Sequence, residues 1–378
     1  MEKDGRDCPG SRRWDRRPLG SEGSAGLPSR RREMTSTVGI LIPTCGRPAL
    51  LRLALDSALR QEGSEVRIIV IDNAPTGEAE SLVESLRDPR ISYVANQENI
   101  GLPGSVNKGV ALFPPAVGWV TVLADDDLLD PGFVRAAMGC AERTGARSVV
   151  DGHRIFIDTE GAKIRDAHRP APAASAFGYI KARARFWRES YLTGVLFHRE
   201  AFVKSGGYPV FSTGAGTDDA FIFSLALQDR LYHTDEAVAR IRVHPEAESR
   251  NAAKALEHLK SISELEAYVL SKAEASGLFD RRQFANIRNV MRSYIAMTND
   301  LLWNTRAGSA VVEEGPPKTE GIRQLCEVAK QGTFQFTART HANAFLLGNT
   351  GLFLESYSAY RTFWRVVKLL NVLRMELE

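Results

Sequence analysis

Three consecutive carboxylates, Asp125, Asp126 and Asp127, follow the apolar run from Trp119 to Ala124. Like charges a few ångströms apart raise one another's pKa or recruit a cation. An all-oxygen set suits Mg2+ or Mn2+, and Mg2+ commonly takes one or two carboxylates together with phosphate oxygens. Such an ion can bridge a diphosphate and stabilise it as a leaving group. The alternative is a solvated acidic turn capping the next helix. A second acidic pair, Asp218-Asp219, follows Gly214-Ala-Gly216 at the start of a helical pattern over 217–227. At the least it complements the helix dipole, worth under about 1 kcal/mol.

The elements that must carry these groups alternate. Val38–Ile42, Val66–Ile71, Ile91–Val94 and Trp119–Ala124 read as short buried strands, and helices are expected from Pro48, over about 77–87, up to about Phe113 and from near Pro131. Strands alternating with helices predict a parallel sheet, because parallel strands need crossovers. Ligands of such sheets bind beyond the carboxyl ends of the strands. Asp72, Asn99 and the triplet should therefore converge. Residues 147–250 look mixed, with strands at 148–150, 153–157 and 237–243. From about 251 the chain turns helical, with helices expected near 282–303, 319–331 and 351–374.

Of 378 residues, 43% are hydrophobic and 25% charged, the profile of a globular protein. A net charge of +3, from 49 basic and 46 acidic residues, gives no support for a nucleic-acid partner. The cysteines lack CxxC spacing, which argues against a zinc or disulfide framework and fits a cytoplasmic protein. No run of about 18 apolar residues marks a transmembrane helix. Residues 1–35 are rich in Arg, Gly, Ser and Pro and are expected to form a disordered basic tail, with translation starting natively at Met34. The expected organisation is this tail, a catalytic-type domain over 36–250 and a helical region over 251–378.

Four segments occur in order: Ile42-Pro-Thr-Cys-Gly-Arg-Pro48, Val70-Ile-Asp-Asn-Ala74, Asn99-Ile-Gly-Leu-Pro-Gly-Ser-Val-Asn107-Lys-Gly109 and Leu123-Ala-Asp-Asp-Asp-Leu-Leu-Asp-Pro131. As a set they resemble family 2 glycosyltransferases over about residues 37–250. The resemblance implies an α/β GT-A fold, a mostly parallel sheet flanked by helices. It further implies a nucleotide-sugar donor with UDP favoured, a divalent metal (Mn2+ or Mg2+), and transfer with inversion to a hydroxyl of a small molecule or glycan. Pro43, Thr44 and Arg47 resemble the first-strand loop around base and diphosphate. Asp72 resembles the aspartate that accepts from the uracil ring, although an Asx turn explains it too. Asn99 and Asn107 resemble the polar segment beside the nucleotide, with loop hydrogen bonding and packing as the equal alternative.

The register within the triplet stays open. Asp125 and Asp127 form the metal pair if the motif reads Asp-x-Asp. Counting back from Pro131 makes Asp125 a ribose contact and Asp126 the ligand. Asp218-Asp219 resembles the family's acidic pair, whose second member, Asp219 here, is usually the general base. His244 resembles a late histidine that completes the metal site, against an even alternative as a packing residue. Trp187 and Tyr191 would form an aromatic platform for a sugar or acceptor, or simply core. The final helix, with Phe363, Trp364 and Leu370 beside Arg361 and Lys368, is expected to pack on a domain or a second subunit rather than a membrane. The rival functions are a nucleotide-sugar-binding module without catalysis and a metal-dependent nucleotidyltransferase.

Overall fold

The computed structural model describes residues 37–74, 76–243 and 255–314. The expected tail, the start at Met34, His244 and the helices at 319–331 and 351–374 lie outside these residues, as does the interface expected on the last helix.

One sheet organises the described chain, its strands lying side by side in the order 91–95, 66–72, 38–44, 119–122, 195–198, 149–157, 231–242 and 128–129. Its first part is β1 (Val38–Thr44), β2 (Val66–Asp72), β3 (Ile91–Ala95) and β4 (Trp119–Val122). These strands pair in parallel, connected by α1 (Pro48–Leu59), α2 (Glu78–Leu86) and α3 (Gly101–Leu112). All seven residues of β1 are buried. This is why it reads as a continuous apolar run, the signature of a strand covered on both faces. Pro48 stands in the first turn of α1, where its missing N–H costs nothing.

Beyond β4 the chain forms β5 (Leu128–Leu129), α4 (Phe133–Thr144), β6 (Val149–Ile157), β7 (Lys163–Asp166), β8 (Ala173–Ala174) and α5 (Ala176–Ala184). It continues through β9 (Val195–His198), α6 (Arg199–Ser205), α7 (Thr217–Ala226) and β10 (Leu231–Arg242) to α8 (Ala255–Ser276) and α9 (Arg281–Glu314). The sheet is mixed. β9 enters between β4 and β6 and runs antiparallel to both, while β6 and β10 pair in parallel. The two strands expected within 148–157 are one, because Asp151, Gly152 and His153 are buried in the ladder despite their polarity.

α8 and α9 share a core with the sheet. Leu265 and Val269 of α8 and Ile287, Met291 and Ile295 of α9 lie in the same buried cluster as Leu41 of β1 and Val120 of β4. α3 approaches β1 closely at Gly109, where an added Cβ would lie 2.3 Å from Leu41 Cδ1 and 2.9 Å from Ile71 Cδ1. Leu41 and Ile71 are fully buried and have nowhere to turn. Gly109→Ala is therefore expected to cost about 1–3 kcal/mol through overpacking. Urea unfolding should show a lower midpoint, and an unchanged midpoint would mean that α3 can move away from the sheet.

Candidate active site

The register of β1 and β2 places Thr44 opposite Asp72, so both strand ends deliver a polar residue to one edge. Thr44 Oγ1 donates to Asp125 Oδ2 at 2.7 Å, across 81 residues of sequence. Arg47, just before α1, adds Nε to the same oxygen at 3.3 Å and closes on Asp125 Oδ1 with Nη2. Its Nη1 reaches Asp126 Oδ2 at 2.8 Å. Arg47 makes no side-chain cap on α1, and its guanidinium ties the first loop to the triplet. Asp125 is buried, which pushes its pKa up against the pull of Arg47. Pro43 is a buried strand residue opposite Ile71 and contributes shape.

Asp72 is buried at the end of β2. Its Oδ1 accepts the Ala74 N–H at 2.9 Å, which is the Asx turn, and its Oδ2 accepts the Tyr93 hydroxyl at 2.9 Å. Behind it runs a polar chain. Asn96 donates to Asn73 Oδ1 at 2.8 Å, and Lys108 Nζ donates to Asn96 Oδ1 at 2.6 Å. Asn99 accepts the Gly101 N–H at 2.9 Å at the start of α3 and lies 3.8 Å from Cys45 Sγ. Asn107 points elsewhere. It donates to the Tyr208 carbonyl at 2.9 Å and accepts the Tyr208 N–H at 2.8 Å, which braces α3 against the segment before α7.

Asp127 faces β10 and the start of β9. Its Oδ1 accepts the Arg242 N–H at 2.9 Å, and the Thr193 hydroxyl adds a second bond. Burial, with the Asp126 charge beside it, pushes Asp127 up to about 7. Arg242 Nε donates to the Asp126 carbonyl at 2.9 Å and fixes the turn itself. Among the described residues, no three His, Cys, Asp or Glu side chains come together as a metal cage.

The acidic pair at the start of α7 is split by its surroundings. Asp219 is buried. Its Oδ1 accepts from Tyr179 at 2.8 Å and Arg183 Nε at 2.5 Å, and its Oδ2 accepts from Tyr294 at 2.6 Å and Arg183 Nη2 at 3.1 Å. Burial opposes ionisation, but the Arg183 charge and these hydrogen bonds hold its pKa below the usual carboxylate range. Asp218 is half-buried and accepts the Tyr208 hydroxyl at 2.5 Å. Desolvation, with the Asp219 charge adding to it, pushes Asp218 up to about 6. Two neighbouring carboxylates thus differ in the direction of their shifts, the pattern that separates a structural acid from a titrating one.

The loop before β9 connects this pair to a second buried cluster. Arg154 Nη2 lies 2.8 Å from Asp151 Oδ1, and Arg188 closes on Asp151 Oδ2. Arg154 also donates to the carbonyls of Thr193 at 3.0 Å and Tyr191 at 2.9 Å. Tyr191 packs edge-on against Phe156 at 5.5 Å, whereas Trp187 is 53% exposed with the Arg185 guanidinium 4.7 Å from its ring centre. Of the two aromatics, Trp187 presents the larger exposed surface.

Residues 39–204 match the model of Glycosyl transferase family 2. This region is similar to glycosyl transferase family 2 domains. The chain is 31% identical over 147 residues to the succinoglycan biosynthesis protein ExoO of Rhizobium meliloti, covering 34% of this chain and 41% of that protein. It is 33% identical over 103 residues to the GalNAc(5)-diNAcBac-PP-undecaprenol beta-1,3-glucosyltransferase of Campylobacter jejuni, covering 27% and 33%. The chain thus spans less than half the length of the curated relatives it matches. The fold is similar to that of residues 1–349 of TarS from S. aureus, solved in complex with UDP. The TM-score is 0.56 at 12% identity, over 88% of this chain and 91% of that one.

Several residues that shape the candidate site were not singled out in the sequence: Tyr93, Thr193, Tyr208, Arg183, Tyr294 and Arg242. Each gives a hydrogen bond to an acid that was singled out, Arg242 through its backbone N–H. The available signal was the need itself, since a buried carboxylate demands donors. Which donors answer it depends on tertiary packing.

Proposed function

We propose that this protein transfers a sugar from a nucleoside diphosphate sugar to an acceptor hydroxyl, with inversion at the anomeric carbon and the help of Mn2+ or Mg2+. The observation that carries this reading is the split acidic pair lying in one fold with the acidic triplet at the carboxyl end of β4. Asp218 is the general base. The acceptor hydroxyl gives its proton to Asp218 as its oxygen attacks the anomeric carbon, and the bond from that carbon to the diphosphate oxygen breaks. This revises the expectation from sequence, which gave the role to Asp219. Every lone pair of Asp219 already receives a donor, so none remains for a substrate proton.

On the donor side, Thr44 and Arg47 hold Asp125 in place. Asp72 keeps a second lone pair on each oxygen for the uracil ring. Asp127, pushed up to about 7, is a carboxylate in need of a neutralising charge, and hard oxygen donors fit a divalent ion. We assign that ion to the carboxylates of Asp126 and Asp127, with Thr44 and Arg47 fixing Asp125 beside them. A bound ion would supply positive charge to the departing diphosphate. UDP as the donor nucleotide is supported by the UDP complex of TarS, and a glycan acceptor by the name of the Campylobacter jejuni relative.

The test is UDP titration in Mn2+ and in EDTA. Metal and nucleotide should strengthen one another's binding, because each supplies charge the other lacks. Affinity is expected to rise about tenfold or more with Mn2+, in the usual range of coupling between two ligands. Asp127→Ala should remove that gain, whereas Asp72→Ala should weaken binding equally in both buffers. Equal wild-type affinity in Mn2+ and EDTA would reduce the triplet to an acidic turn.

A further inference from the structure

We propose that Tyr93, on β3, selects the base of the donor nucleotide. Its hydroxyl occupies one oxygen of Asp72, so the site favours a base edge with a single N–H, as in uracil, over the paired donors of guanine. The inference rests on the reading of Asp72 as the contact to the base.

Strand pairing brings Tyr93 to Asp72. β2 and β3 run parallel, with Val70 opposite Tyr93 and Asp72 opposite Ala95. Side chains two residues apart share a face, so the Tyr93 phenol and the Asp72 carboxylate project from the same side of the sheet. The ring packs against the cluster that holds Val70 of β2, Leu55 of α1 and Ala79 of α2. The hydroxyl donates to Asp72 Oδ2 at 2.9 Å. Burial and this bond push the Tyr93 hydroxyl pKa up, so it remains a donor at neutral pH.

The backbone of Asp72 is held from both sides. Its carbonyl accepts the Asn96 N–H at 2.9 Å, and the next residue, Asn73, donates its N–H to the Thr44 carbonyl at 2.9 Å. That leaves the side-chain torsions. Two donors set these by arriving on different oxygens, the Ala74 N–H at 2.9 Å on Oδ1 and the Tyr93 hydroxyl on Oδ2.

A carboxylate only accepts hydrogen bonds. The pairing edge of guanine carries two adjacent donors, N1–H and N2–H, which match both oxygens of a carboxylate as an arginine fork does. The edge of uracil carries one donor, N3–H, between two carbonyl oxygens. With N3–H on Oδ1, one of those carbonyls lies toward Oδ2, and two acceptors repel. A hydroxyl donating to Oδ2 draws charge from that oxygen. It weakens the second acceptor that guanine uses and relieves the repulsion that uracil meets.

The test is calorimetric titration of the full chain and of Tyr93→Phe with UDP and with GDP, in EDTA and in Mn2+. The wild type is expected to favour UDP. Tyr93→Phe keeps the ring and bares Oδ2. It should weaken UDP binding about fivefold, the usual effect of one hydrogen bond, while GDP binding holds or tightens. The preference for UDP over GDP should therefore fall by about that factor or more. A packing defect would weaken both nucleotides alike and leave the ratio where it was. The gain in affinity from Mn2+ should be the same in both proteins, because the triplet is untouched. Tyr93→Leu also lacks the hydroxyl, should move the ratio the same way and serves if Tyr93→Phe does not fold. An unmoved ratio in a folded variant, or a wild type that prefers GDP, overturns the proposal. Unchanged UDP affinity in Asp72→Ala would instead overturn the reading of Asp72 as the base contact. Loss of UDP binding in Asp72→Ala with an unmoved ratio in Tyr93→Phe would strike the role of Tyr93 alone.

Discussion

Asp218→Asn should lower turnover by about 10²–10⁴-fold, the usual contribution of a positioned general base. UDP affinity should hardly change, because Thr44, Asp72 and the triplet are untouched. The same group sets the pH dependence. A base must be ionised to act, and Asp218 is pushed up to about 6. Turnover should therefore be nearly full at pH 7.5 and fall tenfold per unit well below pH 6. The companion variant separates the two acids. Asp219→Asn removes the counter-charge of the half-buried Arg183, and a cation left unpaired away from water is costly. That variant should lose thermal stability first, whereas Asp218→Asn should melt near the wild type. UDP release from UDP-sugars, with glycan acceptors or water, reads the rates. Wild-type turnover in Asp218→Asn would return the base role to Asp219.

Asp151→Ala should destabilise the fold by about 3–5 kcal/mol, the range for removing one partner of a buried ionic group. Asp151, Arg154 and Arg188 are all buried. The two guanidinium groups hold the Asp151 carboxyl far below its usual range despite its burial. Without it, two positive charges face each other in the interior. The effect should extend to the candidate site, because Arg154 also fixes the Thr193 carbonyl and Thr193 accepts the Ala124 N–H at 3.1 Å. Urea unfolding of Asp151→Ala and of the near-isosteric Asp151→Asn should give similar losses, since charge and not volume is removed. A wild-type midpoint in either would show that water reaches this cluster and screens it.

The first half of the sheet was legible because β1 is fully buried, β2 and β4 are nearly so, and its helices are amphipathic. Val38–Thr44 and Val66–Asp72 carry apolar runs that end in a polar residue, and the residue that ends the run is the one placed at the edge. β9 was not legible. Four residues between a polar loop and a short helix carry no period, and only the gap between β4 and β6 defines their place. The acids of the site were visible as acids, but their division of labour was not. Asp218 and Asp219 are adjacent and identical in sequence, and what separates them is donors from α5 and α9. Asn107 shows the reverse case, a polar residue in a suggestive motif whose amide is committed to the Tyr208 backbone.

The pairing of Thr44 with Asp72 also maps where the gene can change length. Both are terminal residues of strands whose side chains alternate between faces, and they sit opposite each other. One residue added to or removed from β1 or β2 would shift the edge by a full position and turn the terminal side chain to the other face. Conservative substitution within these strands leaves that edge alone, whereas a single-codon insertion dismantles it. The connection between β6 and β7 is different. It turns through Gly161, whose φ is +90° with open space around it, and carries none of the donor-side acids. Length variation among descendants of this chain should therefore accumulate there and stay out of the two strands.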